Sequence, residues 1–257
     1  MLKRLLVCLT FVTAMAAVAC GGGAPSQPEG GGTTPAPAPA APAAPIGASV
    51  ISGSVKLEGT PPEARVIRMT SDPLCMPEGP TLSEVVLVGP GNGLQNVFVY
   101  VKDGLGDRTF TAPTTPVVLD QRGCKYMPHV FGAQVGQPVK IVNSDGTLHN
   151  VHAVPKENTE FNFGQPLKGM ESTQTFTKSE IMVPFRCDVH KWMNSFVGVV
   201  EHPFFAVTGA DGAFQLKGLP PGTYTIEAWH EKLGRQTQSV TLGEKDSKEI
   251  TFSFKVQ

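Results

Sequence analysis

Short runs rich in β-branched and aromatic residues recur along the chain after residue 48. Clusters of turn residues separate these runs, such as Gly-Pro-Gly-Asn-Gly at 89–93 and Pro-Pro-Gly at 220–222. No stretch repeats apolar residues at helical spacing for more than two turns, so the pattern predicts an all-β protein of one or two sandwiches. The predicted strands are Ser49–Leu57, Glu84–Val88, Gln95–Val101, Pro138–Asn143, Asn150–Val154, Ile181–Arg186, Phe196–Glu201, Ala213–Lys217, Thr223–Trp229, Thr237–Leu242 and Glu249–Val256.

The first residues have the pattern of an export signal. Lys3 and Arg4 precede an apolar run, and small residues follow it directly before Cys20. This order predicts a signal peptide over residues 1–19. The small residues before Cys20 resemble the lipobox of bacterial lipoproteins, which implies that Cys20 is the lipid-modified first residue of the mature chain. An ordinary cleaved signal with an unmodified Cys20 is the alternative.

Residues 20–47 are rich in Gly, Pro and Ala and show no apolar periodicity. Such a segment cannot bury a core, so we interpret it as a linker. Its Pro-Ala half favours extended polyproline II geometry, which would hold a folded body away from a membrane. Linker and lipobox together predict an exported, lipid-anchored protein, at the periplasmic face of the outer membrane or at the cell surface.

The charge balance excludes one class of partner. The chain has 21 basic and 22 acidic residues and a net charge of −1. Neutralising the phosphates of a nucleic acid requires a clear excess of Lys and Arg, so no nucleic acid is expected as a partner. No window after residue 20 reaches the ~18 apolar residues that a membrane-spanning helix needs.

The closing part of the chain carries a first family resemblance. Asp211-Gly212 predicts a hairpin turn, and Pro221-Gly222 supplies the fixed φ and the positive φ of a type II turn. The stretch Val207–Trp229 closely resembles the carboxypeptidase regulatory-like domain, a transthyretin-like β-sandwich. That family opens with strands similar to those that begin here at Ile51 and Asn96, far upstream of the closing strands.

This separation implies a discontinuous sandwich of residues 48–108 and 203–257, with a second domain at 109–202 inserted in it. The inserted segment contains five of the six histidines. It also contains the loop Cys187-Asp-Val-His190-Lys-Trp-Met193, and His149-Asn150-Val-His152 stands upstream of that loop. A thiolate, two imidazoles and a thioether are the ligand types of a type 1 copper centre.

These motifs, in this order, resemble the cupredoxins, and the short loop is closest to that of amicyanin. The resemblance covers roughly residues 115–202 and implies a Greek-key β-sandwich with one type 1 copper. The ligands it implies are His149, Cys187, His190 and Met193. It also implies that the side chain of Asn150 ties the two ligand loops together.

The loop departs from the amicyanin pattern at three positions. Asp188, Val189 and Lys191 stand where amicyanin-type loops have Thr, Pro and Pro. A carboxylate at Asp188, beside the thiolate, would favour Cu(II) and lower the reduction potential.

Two further histidines are interpreted as structural. An offset of three residues along a strand places His149 and His152 on opposite faces, so His152 is expected to be a hydrogen-bonded boundary residue rather than a ligand. His129 is interpreted in the same way, with a second copper or zinc site there as the alternative.

The cysteines follow from this assignment. With Cys20 lipidated and Cys187 on copper, Cys75 and Cys124 remain in an oxidising compartment. We therefore expect a Cys75–Cys124 disulfide. The alternative is that both are free, buried thiols, because sequence does not show their proximity.

The expected function is one-electron transfer at the cell envelope, with a cytochrome or a dehydrogenase as redox partner. Cys187 lies between Arg186 and Asp188 rather than between histidines, so a second copper site fed through this strand is not expected. No catalytic triad, phosphate loop or carboxylate pair stands out, and an enzyme is not predicted. Two alternatives are copper delivery, and carbohydrate binding or adhesion with a secondary copper site.

The resemblance also implies a docking surface. In cupredoxins the downstream ligand histidine presents its ring edge to solvent amid apolar residues, which implies an exposed edge for His190. Trp192 and Pro155 are the candidate docking residues because they lie near the ligand motifs. The alternative for Trp192 is packing between the two sandwiches.

Overall fold

The computed structural model describes residues 46–76 and 79–256. The predicted signal peptide, Cys20 and all but the end of the predicted linker lie outside these residues. Among the described residues, none forms a helix that is long and apolar enough to cross a membrane.

The described residues form β-strands and two short 3₁₀ helices, Pro73–Cys75 and Pro90–Asn92, so the predicted all-β class is confirmed. The strands are β1 Ser49–Glu58, β2 Val66–Ile67, β3 Thr81–Leu82, β4 Phe98–Asp103, β5 Val117–Gln121, β6 Tyr126–Met127, β7 Val130–Gln134, β8 Pro138–Asn143, β9 His149–Ala153, β10 Phe161–Gln165, β11 Glu171–Thr175, β12 Glu180–Arg186, β13 Asn194–Val200, β14 Phe205–Val207, β15 Ala213–Leu219, β16 Gly222–His230, β17 Gly234–Leu242 and β18 Ser247–Lys255.

Two sheets enclose one core from the beginning and the end of the chain. Their strand orders are β15-β1-β18 and β14-β4-β16-β17. β1 pairs antiparallel with β15 and parallel with β18, so the first strand lies between two of the last. Alternate residues of both sheets, such as Ile51, Val99, Ile226 and Phe252, point into the shared core and are fully buried. We call this body the first sandwich.

Two other sheets enclose a second core from the middle of the chain. Their strand orders are β10-β9-β12-β13-β7 and β11-β8-β5-β6. The two parallel pairs, β5 with β8 and β7 with β13, require crossover connections between the sheets. Leu119 and Ile141 from one sheet meet Val151 and Phe185 from the other in the core. We call this body the second sandwich.

The sandwiches contact each other through a third cluster of apolar side chains. Phe98 of β4 packs there with Val130 of β7 and Val200 of β13. Gly132 and Gly198 are paired across β7 and β13, and a Cβ on either would overlap aromatic rings of the first sandwich. The two glycines therefore form a notch that admits the Phe98 ring.

One segment of the predicted 48–108 sandwich part packs elsewhere. Met69 and Cys75 are buried in the core of the second sandwich, and Ile67 packs against it. The structure contains the predicted disulfide between Cys75 and Cys124, which bridges 49 positions in sequence. The predicted domain boundaries at 108/109 and 202/203 stay a prediction, which independent folding of residues 109–202 would test.

Some strands differ from the sequence-based expectation. The predicted strand Glu84–Val88 is a bent segment in which only Val88 makes a bridge, to Leu94. Eight strands among the described residues were not predicted: β2, β3, β5, β6, β7, β10, β11 and β14. Among them, β10 and β11 are edge strands. Their exposed faces carry polar residues, so the alternation in Glu171–Thr175 has no apolar half to reveal it.

We predict that Gly198→Ala lowers the free energy of unfolding by about 1–3 kcal/mol, because the added methyl overlaps the Phe98 ring in a packed interface. Urea denaturation of the apoprotein measures this loss. Gly209→Ala is the matched control, since the nearest atom to its Cβ is 3.6 Å away. If both variants were as stable as the wild type, the interpretation that Gly198 leaves room for the Phe98 ring would be contradicted.

A second prediction concerns acid stability. Burial lowers the pKa of both His202 and His230 from 6.5 to about 4. Between these pH values the unfolded chain binds more protons than the folded chain, so the free energy of unfolding falls as the pH falls. The expected loss is up to about 3 kcal/mol per histidine.

Urea denaturation of the apoprotein between pH 7 and pH 4 measures this slope. His202→Gln removes one of the titrating groups and should flatten it. An unchanged slope would show that His202 is not held neutral in the fold.

Candidate metal centre

Two neighbouring strands bring the ligand motifs together. His149 is the first residue of β9, and Cys187 directly follows β12. The two strands pair antiparallel, with Arg186 opposite His152, so the start of one lies beside the end of the other. His190 lies in the turn that leads to β13, and Met193 directly precedes that strand.

Three donor atoms converge at this corner. Nδ1 of His149 lies 3.0 Å from Nδ1 of His190, and Sγ of Cys187 lies 3.8 Å from the latter atom. The three side chains are 0%, 0% and 1% exposed respectively, and Cys187 is the only free cysteine among the described residues. A buried cluster of two imidazole nitrogens and a sulfur is thus present before any metal is considered.

Backbone hydrogen bonds close the loop around the sulfur. The amides of His190 and Asn150 donate to Sγ of Cys187 at 3.3 and 3.4 Å, which stabilises a thiolate there. The amide of Met193 donates to the carbonyl of His190, and the amide of Cys187 donates to the carbonyl of Met193. Met193 is 1% exposed and packs in the second core.

Two side chains join the ligand loops from either side. Oδ1 of Asn150 accepts the amide of Asp188 at 2.9 Å, as the cupredoxin resemblance implied. The hydroxyl of Tyr126 donates to the carbonyls of Asn150 and Arg186, which directly follow and precede the predicted ligands His149 and Cys187. Burial raises the pKa of Tyr126, so this hydroxyl remains a donor.

A carboxylate also lies within hydrogen-bond distance of Nε2, the outer ring nitrogen, of each of these two histidines. Nε2 of His149 lies 2.9 Å from Oδ2 of Asp145, and Nε2 of His190 lies 3.3 Å from Oδ2 of Asp72. Carboxylates in this position fix the orientation and tautomer of metal-binding histidines. Burial lowers the pKa of His149, which favours the neutral imidazole that a metal requires.

Neither of these carboxylates, Asp145 or Asp72, was predicted from the sequence to lie at the site. Asp145 lies only four residues before His149, so proximity along the chain was an available signal. Asp72 lies far upstream, and only the tertiary fold brings it to His190. Hydrogen bonds from Thr147 and from the amide of Leu74 lower the pKa of Asp72, which keeps it ionised.

The expectation of an exposed His190 edge is wrong. His190 is 0% exposed. Residues 72–75, which we call the cover segment, lie against its outer edge, with Sγ of Cys75 3.7 Å from Nε2. The disulfide ties this segment to Cys124, and Trp192 packs on the His190 ring at a centroid distance of 5.1 Å.

The two predicted docking residues lie close to the site in different ways. Trp192 is half-buried against the second core, and its indole donates to the carbonyl of Cys124 at 3.0 Å. Pro155 is partly exposed just beyond β9. Large apolar side chains that are more exposed stand next to the site residues: Leu74, Leu148 and Val189.

Asp188, His152 and His129, the remaining polar residues discussed from the sequence, each have specific contacts. The Asp188 carboxylate contacts Nδ1 of His152 at 2.8 Å, and the hydrogen bond from His152 lowers the pKa of Asp188. Glu160 contacts the other nitrogen of His152, which is therefore a satisfied buried residue. His129 contacts Glu231 of the first sandwich and belongs to none of the possible metal-binding groups among the described residues.

The donor set fits type 1 copper. Two imidazoles and one thiolate form the trigonal plane of such a centre, and the sulfur and nitrogen ligands serve Cu(I) and Cu(II) respectively. The other two possible metal-binding groups each contain a cysteine of the disulfide, which cannot supply a thiolate. The site formed by His149, Cys187 and His190 is therefore the candidate metal centre.

The fold and the site thus define a β-sandwich protein with a buried His-Cys-His donor cluster. The sequence profile of the carboxypeptidase regulatory-like domain matches residues 198–255, which confirms the resemblance for that closing segment. The search of curated proteins found no match.

Among solved structures, the chain is weakly similar to cupredoxin-containing proteins. A copper-containing nitrite reductase from Thermus scotoductus SA-01 shares 24% identity over 38% of this chain and 25% of its own length, with a TM-score of 0.30. A mutant of amicyanin in its Cu(I) form shares 24% identity over 39% of this chain and 97% of its own length, with a TM-score of 0.29. The chain thus spans only a quarter of the length of the reductase.

We predict that Asn150→Ala loosens the Cys187 loop, because the partly buried amide of Asp188 loses its acceptor. The expected cost is about 1–3 kcal/mol in the free energy of unfolding of the apoprotein. Hydrogen exchange at the Asp188 amide should accelerate at the same time. Asn150→Asp retains an acceptor and is the control. Equal exchange in all three proteins would contradict the tie.

Proposed function

We propose that this protein is an exported, envelope-anchored type 1 copper protein that carries single electrons between redox partners. The observation that supports this function most directly is the convergence of three donor atoms, Nδ1 of His149, Nδ1 of His190 and Sγ of Cys187, in a buried corner. Met193, whose thioether would be the weak axial ligand, completes the proposed set of four. Copper, when bound, would supply the one-electron couple.

The residues around the donors suit a carrier because they hold the site rigid. The loop from Cys187 to Met193 is closed by backbone hydrogen bonds, and Asn150 and Tyr126 fasten it to the neighbouring strand. A ligand set that does not rearrange changes little between oxidation states, which keeps the cost of electron exchange low. Burial of all three donors also excludes water and substrates from the metal, so no enzymatic activity is proposed.

The proposed partner is a redox protein such as a cytochrome or a dehydrogenase. Weak redox encounters use interfaces below ~1,200 Å², which a small apolar surface can provide. Leu74, Leu148 and Val189 are exposed beside the site residues and extend the docking surface proposed for Trp192 and Pro155. The lipid on Cys20 would keep the protein at the envelope, where such partners operate.

Copper delivery is the weaker candidate. A delivery protein must hand over its metal readily, which an open site permits. Here the outer nitrogens of both histidines are occupied by carboxylates, and both rings are fully buried. The arrangement therefore favours retention of the metal.

We predict that the purified chain binds one copper and develops an intense visible absorption band. Cys187→Ser should abolish that band, because the charge transfer from thiolate to Cu(II) requires the sulfur. His149→Gln should also lose it, while the matched control His129→Gln should keep it, since His129 lies outside the donor cluster. An unaltered band in Cys187→Ser would overturn the assignment.

Redox cycling separates the carrier from a delivery protein. On addition of a one-electron reductant the band should bleach, and on reoxidation by a cytochrome it should return, with one electron exchanged per copper. Copper should stay bound throughout. Loss of copper to the solution during a cycle would contradict electron carriage and support delivery.

A further inference from the structure

Each of the two carboxylates at the outer ends of the histidines is linked to one half of a single disulfide, Asp72 through the chain and Asp145 through hydrogen bonds. Asp72 lies three residues before Cys75 and contacts His190. Asp145 contacts His149, and its carboxylate oxygens also accept hydrogen bonds from the amides of Gly123 and Cys124 at 2.8 Å each. Each half of the Cys75–Cys124 bridge is thus linked to the outer nitrogen of a different histidine.

The cover segment makes three close contacts over the site. Oδ2 of Asp72 accepts the hydroxyl of Thr147 at 2.6 Å and contacts Nε2 of His190 at 3.3 Å. Sγ of Cys75 lies 3.7 Å from the same nitrogen. Residues from a distant part of the chain therefore close the edge of His190 that would otherwise face solvent.

Within the cover segment itself, little apolar surface is buried. Leu74 is 70% exposed and adds little to the core, whereas Met69, three residues upstream of Asp72, is buried in it. Cys75 is the buried residue of the 3₁₀ helix Pro73–Cys75. The covalent bond from Cys75 to Cys124 therefore restrains the chain three residues from Asp72, in addition to the hydrogen bonds of Asp72 itself.

From these contacts we propose that the Cys75–Cys124 disulfide is a clasp that controls copper exchange. With the bond formed, the cover segment seals His190 and copper neither enters nor leaves readily. In a chain whose two cysteines are replaced, so that the bond cannot form, Asp72 withdraws, the His190 edge opens and the metal exchanges. This inference rests on the proposed copper site but adds a determinant that the four ligands do not contain.

Asp72 acts in this scheme as a positioning residue on His190. It does not reach the metal-facing Nδ1 atom but holds the opposite nitrogen of the ring. Removing such an outer carboxylate from a histidine ligand commonly weakens metal binding by about 10- to 100-fold. The disulfide should matter at least as much, because it positions both Asp72 and Cys75.

The test uses the full chain loaded with copper and measures the rate of copper transfer to a chelator in excess. The double variant Cys75→Ser/Cys124→Ser and the single variant Asp72→Ala should each transfer copper about 10- to 100-fold faster than the wild type. Asp211→Ala is the matched control, since that carboxylate caps a turn of the first sandwich. A rate equal to wild type in the folded double variant would overturn the clasp, even if Asp72→Ala released copper faster.

A second readout does not depend on copper. Diethyl pyrocarbonate should modify His190 slowly in the wild-type apoprotein and rapidly in the double variant, as mass spectrometry of the His190 peptide would show. Slow modification in both proteins would contradict the cover. If the wild type bound no copper but showed this difference, the copper function would fail and the cover would stand.

Folding of the double variant is checked by circular dichroism. If it does not fold, Asp72→Ala and Thr147→Val decide the question, because both keep the disulfide and weaken the contacts of the cover segment. Faster copper transfer to the chelator in both variants would support the proposal that the cover segment seals the His190 edge. Copper transfer at the wild-type rate in both variants would overturn that proposal. If these variants also kept the wild-type blue band, the proposed copper function would remain intact.

Discussion

The antiparallel pairing of β9 with β12 places the start of one strand beside the end of the other, so His149 and Cys187 become neighbours although 38 positions separate them along the chain. The pairing also aligns the carbonyls of Asn150 and Arg186 so that one hydroxyl, from Tyr126, can bind both. The loop to Met193 then closes by its own backbone hydrogen bonds. Without this pairing the donors would be separate polar groups, and burying them unpaired would destabilise the core.

Around this corner the protein adds restraints from more distant parts of the chain. Asp145 comes from the turn before β9, whereas Asp72 and Cys75 come from a segment that leaves the first sandwich and packs into the second core. A second contact between the bodies depends on Gly132 and Gly198, which leave room for Phe98. The candidate metal centre is therefore restrained by a segment from upstream of β4 as well as by the strands of the second sandwich.

Local signals were sufficient for much of the fold. The strand predictions near Ile51, Val139, Val183 and Ile226 match strands because their apolar residues alternate toward a core. The predictions failed where a strand has little apolar content, as in Glu171–Thr175, and where a β-rich run is bent, as in Glu84–Val88. They also missed short apolar strands such as Val130–Gln134. Edge strands are stabilised by backbone hydrogen bonds to one neighbouring strand, and these bonds do not depend on the order of apolar and polar side chains along the strand.

By itself, the sequence determined the all-β class, the donor residues that converge and the cysteines available to pair, because residue type and short spacing limit what chemistry each motif can support. It could not determine that His190 is covered. That outcome depends on Asp72 and Cys75 reaching a ring more than a hundred positions away, through a path that the tertiary structure alone defines. Amphipathic pattern records which face of a strand is buried, but it holds no record of which distant segment buries it.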